Sequence, residues 1–232
     1  MDRIALRQII DWRSHTYTYF VWHKPSKEAF IVDPVLEHEE RDFKLVQELG
    51  LNVKMLFDTH VHADHKTGAF ALKLKLRAKH ALGSHSEVTH TDLLCGDGDS
   101  LPFDYIDLES RLTPGHTKGC VSFVLKAGTK QWVFTGDTLL IRGCGRTDFQ
   151  GGDSSTLYHS IQNKLFSLDD ETVVYPGHDY KGQTQSTIGE EKRFNPRLKT
   201  GTTENQFIDI MKHLKLKEPQ NLSEHVDFNS KQ

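Results

Sequence analysis

The chain has 232 residues, which suits one α/β domain with a sizeable buried core, and it reads as a single domain over 1–232. A net charge of -3 with 26% charged residues argues against a basic nucleic-acid groove or an anionic-membrane surface. No run approaches the roughly 20 apolar residues of a membrane span.

The first segment, Met1 to Ile10, has neither an apolar nor an Arg/Ser-rich leader pattern, so the expected location is cytoplasmic, or the mitochondrial matrix if a leader was removed. Ile4–Ile9 and Thr16–Trp22 are rich in β-formers and read as strands. Ala29–Asp33 is a short apolar run stopped by Pro34. Leu36 to Leu49 predicts an amphipathic helix, with Phe43, Val46 and Leu49 on one face and Gly50 as its cap. Val53–Asp58 predicts a buried strand. The segment Thr59-His60-Val61-His62-Ala63-Asp64-His65 follows it, ahead of a helix from about Lys66 to Arg77. The turn-rich Cys95–Ser100 reads as a loop between two halves. Val121–Leu125 and Trp132–Thr135 then read as strands, Ser154–Leu165 as a helix, Thr172–Tyr175 as a strand and Thr203–Leu214 as a final helix. Two β-rich halves flanked by helices predict two sheets face to face with helices outside, and a C-terminal helical segment of about 186–218 packed on them. Cys95, Cys120 and Cys144 are odd in number and lack CxxC spacing, which favours free thiols in a reducing compartment.

Three histidines and an aspartate within six residues are hard to explain as a solvated loop. Three further segments place a ligand-type residue in a tight turn: Thr113-Pro114-Gly115-His116, Thr135-Gly136-Asp137 and Tyr175-Pro176-Gly177-His178. Taken alone, each of these is more often a surface or turn residue. Together they give seven nitrogen and oxygen ligands: His60, His62, Asp64, His65, His116, Asp137 and His178. Seven are too many for one ion and about right for two with a bridging carboxylate, as in metal-assisted hydrolysis. Two His and one carboxylate would instead make the open triad of non-haem Fe(II) oxygenases. Spacing does not choose between these. Of fourteen histidines, His80, His85 and His90 have no ligand-like spacing and are expected to face solvent, as are His15, His23, His38, His159, His213 and His225.

The HxHxDH loop, the later His, the Gly-Asp and the final Gly-His, in that order, resemble the metallo-β-lactamase superfamily, which implies an αββα sandwich of two mixed β-sheets with metal at the sheet edge. A narrower resemblance lies in "LLIRGCGRTDFQ" (residues 139–150), "TLYHS" (156–160), "YPGHDY" (175–180) and "EEKRFNPRL" (190–198). This series is similar to the persulfide dioxygenases and runs through essentially the whole chain.

That family resemblance implies one Fe(II) per chain, held by His60, His116 and Asp137. His62, Asp64, His65 and His178 then orient those ligands and move protons. It also implies oxidation of glutathione persulfide by O2 and water to sulfite and glutathione. A substrate with two carboxylates makes Arg142, Arg146 and Arg197 candidate contacts, and Tyr180 a candidate hydrogen-bond donor beside the metal. Arg146 and Asp148 can equally pair to hold their loop, and Cys144 is expected to be a small packing residue. One rival is a two-metal hydrolase of glutathione thioesters like glyoxalase II, against which stands the short segment after His178. Another is a persulfide-binding metal scaffold or sensor without turnover. A homodimer, or pathway partners such as a sulfide-oxidising enzyme or a sulfurtransferase, have no signature in the chain.

Overall fold

The computed structural model describes residues 3–215 and 221–231. Six strands form one sheet in spatial order: β1 (Ile4–Ile10), β2 (Tyr17–His23), β3 (Glu28–Val32), β4 (Asn52–Phe57), β5 (Lys79–Gly83) and β6 (Leu93–Cys95). The first three pair antiparallel and the last four parallel. The second sheet has the order β11 (Ser186–Thr187), β10 (Val173–Pro176), β9 (Lys130–Gly136), β8 (Val121–Ala127) and β7 (Asp107–Leu112), and only its β9–β10 pair is parallel.

Strand alternation explains the layering. In β2, Tyr17, Tyr19 and Val21 point between the sheets while Phe20 points to the outer face. In β4, Met55 and Phe57 point in and Leu56 out, while a register shift against β3 between Val53 and Met55 puts Val53 on the outer face as well. Both faces are apolar because both are covered, hence the near-continuous apolar runs. Between the sheets, Phe57 meets Phe123 with centroids 4.4 Å apart, and Phe30 meets Phe134 edge-on at 5.9 Å. Outside the first sheet, α1 (Glu39–Leu49) and α2 (Ala69–Leu76) bury Leu45, Val46 and Leu72 against Ile31 and Leu56. Gly50 ends α1 in the left-handed region at φ 62°. Outside the second sheet, α3 (Ser154–Ser160) runs on as a π-helical turn to Leu165. With α5 (Glu204–Lys212) it buries Leu157, Ile161 and Phe207 against Val124, Val133 and Val174. Asp153 caps α3 by accepting from the Thr156 amide, and Thr203 and Gln206 form a capping box on α5.

This is the αββα sandwich. The expected C-terminal helical segment contains α4 (Ile188–Phe194) and α5, while its residues 216–218 lie outside those described. The sequence reading missed β5, β6, β7, the short β11 that opens the expected helical segment, and a last helix, α6 (Leu222–Lys231). Missing β5 led directly to one error: His80 does not face solvent but lies buried on that strand, with Nε2 2.9 Å from Asp58 Oδ2. His23 is buried too, bonded to Ser26 Oγ at 2.7 Å and stacked on Tyr105. His85 and His90 are exposed as expected. Among the described residues, no helix is long and apolar enough to cross a membrane.

Candidate metal centre

Loops leaving both sheets at one edge bring all seven ligand-type residues together. The β4 exit carries His60 to His65, the β7–β8 turn carries His116, and the ends of β9 and β10 carry Asp137 and His178. Close approach of the two sheets here depends on Gly136, which has φ 49°; a Cβ on it would stand 2.4 Å from Thr59 Oγ1.

Ligand atoms of His60, His116 and Asp137 all lie within 4.8 Å of one another, and His116 Nε2 is 3.7 Å from Asp137 Oδ2. Hydrogen bonds set the tautomers of both histidines. His116 Nδ1 donates to the Arg146 carbonyl at 2.7 Å, so its Nε2 carries the lone pair. The Thr59 hydroxyl donates to Asp33 Oδ2 at 2.9 Å and therefore accepts from His60 Nδ1 at 3.0 Å, which frees His60 Nε2 in the same way. Burial, helped by the neighbouring His62 and His116, pulls the His60 pKa well below the usual imidazole range. Burial would raise the Asp137 pKa, but His178, His116 and His60 outweigh it and keep the carboxyl ionised.

The other four residues hold one another. His178 donates from Nδ1 to Asp137 Oδ1 at 2.6 Å and from Nε2 to Asp64 Oδ2 at 2.9 Å. Despite burial, the two carboxylates raise its pKa well above the imidazole range, as a ring donating from both nitrogens requires. Asp64 Oδ2 also accepts from Thr16 Oγ1 at 2.9 Å and His65 Nδ1 at 3.0 Å. His62 Nε2 donates to Asp33 Oδ1 at 3.1 Å, and its pKa is set by burial, which lowers it, and by Asp33, Asp58 and Asp64, which lift it to about 9. Two buried nitrogens, His62 Nδ1 and His65 Nε2, have no hydrogen-bond partner among the described residues. Orphaned imidazole nitrogens beside a carboxylate fit a cation, and His62, Asp64 and His65 form a second group whose ligand atoms lie within 4.8 Å of one another. Asp33, Thr59 and Thr16 were not found from sequence. Asp33 ends the apolar run before Pro34 and Thr59 leads the histidine segment, so both carried a signal; Thr16 carried none.

His60, His116 and Asp137 open onto a cavity of about 830 Å³, a size that holds a small ligand. All three candidate arginines line it. Arg142 is fastened to Glu190 at 2.7 Å, to Glu191, and to Ser186 Oγ at 3.0 Å. Arg146 grips Asp148 with two 2.6 Å bonds and lies over Phe149. Arg197 donates to the Cys144 carbonyl at 2.8 Å, and among the described residues it forms no ion pair. Tyr180 is 67% exposed and lies parallel to the His178 ring, at 6.0 Å between centroids. His15 and His225, expected to be plain surface residues, both reach the cavity wall. Cys144 is buried against Met211, and burial raises its thiol pKa.

The Metallo-beta-lactamase superfamily profile matches residues 11–178. "Persulfide dioxygenase ETHE1, mitochondrial" of Mus musculus is 46% identical over 226 residues, covering 97% of this chain and 87% of the relative. The crystal structure of ETHE1 from Myxococcus xanthus superposes with a TM-score of 0.92 at 43% identity, covering 97% of this chain and 98% of that one. "Hydroxyacylglutathione hydrolase GloC" of Haemophilus influenzae is 36% identical but covers 74% of this chain and 88% of its own. The chain belongs to the Metallo-beta-lactamase superfamily and, within it, to the persulfide dioxygenases.

Proposed function

We infer that the protein is a persulfide dioxygenase that oxidises glutathione persulfide, or a persulfide of a similar small thiol, at one Fe(II) per chain. The likeness to persulfide dioxygenases over 97% of the chain carries this reading. The balanced reaction takes the persulfide, O2 and one water to the thiol, sulfite and two protons.

The proposed ligands are His60 Nε2, His116 Nε2 and Asp137 Oδ2. Both imidazole nitrogens have their lone pairs free by the hydrogen bonds described, and the His178 bond on Oδ1 leaves Oδ2 toward His116. When bound there, Fe(II) supplies the redox chemistry with O2 and a site for the soft persulfide sulfur. His178 neutralises the outer oxygen of Asp137 and ties it to Asp64, while His62 and His65 are held by Asp33 and Asp64. Tyr180 is the proposed hydrogen-bond donor to substrate, a role supported by its exposure over His178. Of the three arginines, Arg197 is the favoured carboxylate contact, because Arg142 and Arg146 already hold carboxylates and brace the 140–148 loop. The protein is proposed to act as one domain over 1–232, in a reducing compartment that suits its three buried free cysteines. That compartment is the cytoplasm, or the mitochondrial matrix if a leader is removed.

The unpartnered nitrogens of His62 and His65 keep a second reading open: a two-metal thioester hydrolase. Oxygen uptake by Fe(II)-loaded protein on adding glutathione persulfide, with sulfite appearing, tests the choice. Uptake at about one iron per chain supports the dioxygenase; thioester hydrolysis at two metals per chain without uptake overturns it.

A further inference from the structure

We propose that the C-terminal helix α6 is a clasp on the metal-ligand loop, and that Asn229 is the positioning residue through which it acts. Asn229 lies more than 160 residues along the chain from that loop and is 5% exposed. Its Nδ2 donates to the carbonyls of His62 and His65, each at 2.9 Å, and its Oδ1 accepts from the Thr67 amide at 2.9 Å. Only this orientation of the amide satisfies two carbonyls and one N–H together. One side chain thus closes the backbone around Asp64, from the residue two after His60 to the start of α2. Three further contacts join the same two segments. His225 Nδ1 donates to the Ala63 carbonyl at 3.2 Å, Lys66 pairs with Glu224 at 2.6 Å, and the Lys66 ammonium lies over the Phe228 ring. On its opposite side the loop is tied to the β3 exit, where Leu36 N donates to the Lys66 carbonyl at 2.9 Å and Gly68 N to the Pro34 carbonyl at 2.7 Å.

The loop carries four ligand-type side chains on an irregular backbone, so their aim depends on what holds that backbone. Groups that orient metal ligands from outside matter nearly as much as the ligands. The same helix carries His225 and follows Asn221, both on the cavity wall, so the clasp joins the ligand loop to the substrate space.

The inference rests on the loop's role at the proposed metal centre, and its test separates the two. Asn229→Asp keeps size and acceptor but removes both donors; Asn229→Ala removes all three bonds. Asp227→Asn, on the exposed side of α6, is the control. Backbone hydrogen exchange of the metal-free protein reads the clasp without any metal: exchange at residues 62–67 should rise in both Asn229 variants while the sheets stay protected. Iron release from Fe(II)-loaded protein to a chelator should speed up by about 10- to 100-fold. Release and exchange matching the control would overturn the proposal. So would a rise in exchange throughout the molecule, which would make Asn229 a general stabilising residue. If the wild-type protein holds no iron, the functional reading fails and the exchange experiment still decides the clasp.

Discussion

His178 places its Nδ1 2.6 Å from Asp137 Oδ1 and so occupies the side of that carboxylate that faces away from His116. A histidine whose second nitrogen is also committed to a carboxylate, Asp64, has no lone pair to offer a second ion in this arrangement. His178→Ala is therefore expected to keep about one iron per chain while lowering kcat by about 10- to 100-fold through a misplaced Asp137. Metal analysis paired with oxygen uptake checks this. A wild-type protein carrying two metals, reduced to one by the variant, would make His178 a ligand instead.

His116→Ala removes one of only three proposed ligands, and Asp137→Ala removes the only anionic one. Both variants are expected to lose iron and oxygen uptake while keeping the far-ultraviolet dichroism of the sandwich, because the core between the sheets is untouched. Retained activity in His116→Ala would sink the ligand assignment.

Arg197 should show in KM more than in kcat. Its guanidinium holds a neutral carbonyl, so its charge remains for a substrate carboxylate. Losing one charge-assisted bond costs about 1.5–3 kcal/mol, or roughly a 10- to 100-fold rise in KM for Arg197→Ala. Arg146→Ala should instead disturb the loop through Asp148 and Phe149. Steady-state kinetics of both variants with glutathione persulfide would separate the roles, and an unchanged KM in Arg197→Ala would exclude it as the contact.

Cys144→Ala should turn over normally. The thiol is buried against Met211, and Arg197 bonds chiefly to the backbone carbonyl of this residue, which alanine retains. A stability loss of about 1 kcal/mol is expected, typical of a point substitution. A large fall in kcat would show that the thiol takes part in the chemistry.

All seven ligand-type residues were legible as a set because four of them crowd into six positions and the other three each follow a turn glycine, Gly115, Gly136 or Gly177, a pattern few structural needs produce. The apolar strands β2, β4, β8 and β9 were legible for the same kind of reason, since burial on both faces demands runs of large hydrophobes. What sequence hid was long-range. β5, with its Lys79-His80-Ala81-Leu82-Gly83, looks polar at its start, and the buried His80 is met by Asp58, the residue just past the end of the neighbouring β4. Thr16 and Asn229 are ordinary residues whose contacts with the ligand-type residues and their loop come from partners 48 to 167 positions away. How the arginines divide their work was likewise invisible, because Glu190 and Glu191 reach Arg142 only through the fold.

Asp11 offers a test in pH. Burial raises its pKa, but the Ser14 hydroxyl at 2.6 Å, the Ser14 amide at 2.8 Å, His38 at 2.9 Å and the Arg13 amide outweigh it and leave the carboxyl below the usual range. The folded pKa lies below the unfolded value of about 3.9, so the ionised group stabilises the fold above that pH. That contribution is lost as pH falls through the folded value. Asp11 turns the chain from β1 toward Thr16, whose hydroxyl meets Ser14, Asp64 and His178, so the loss should reach the metal centre. Melting midpoints of metal-free wild-type and Asp11→Asn protein between pH 2.5 and 6 should differ most at pH 6, with wild type higher, and the gap should narrow as the pH falls below about 4. Parallel curves over that range would show that Asp11 gives no pH-dependent stability.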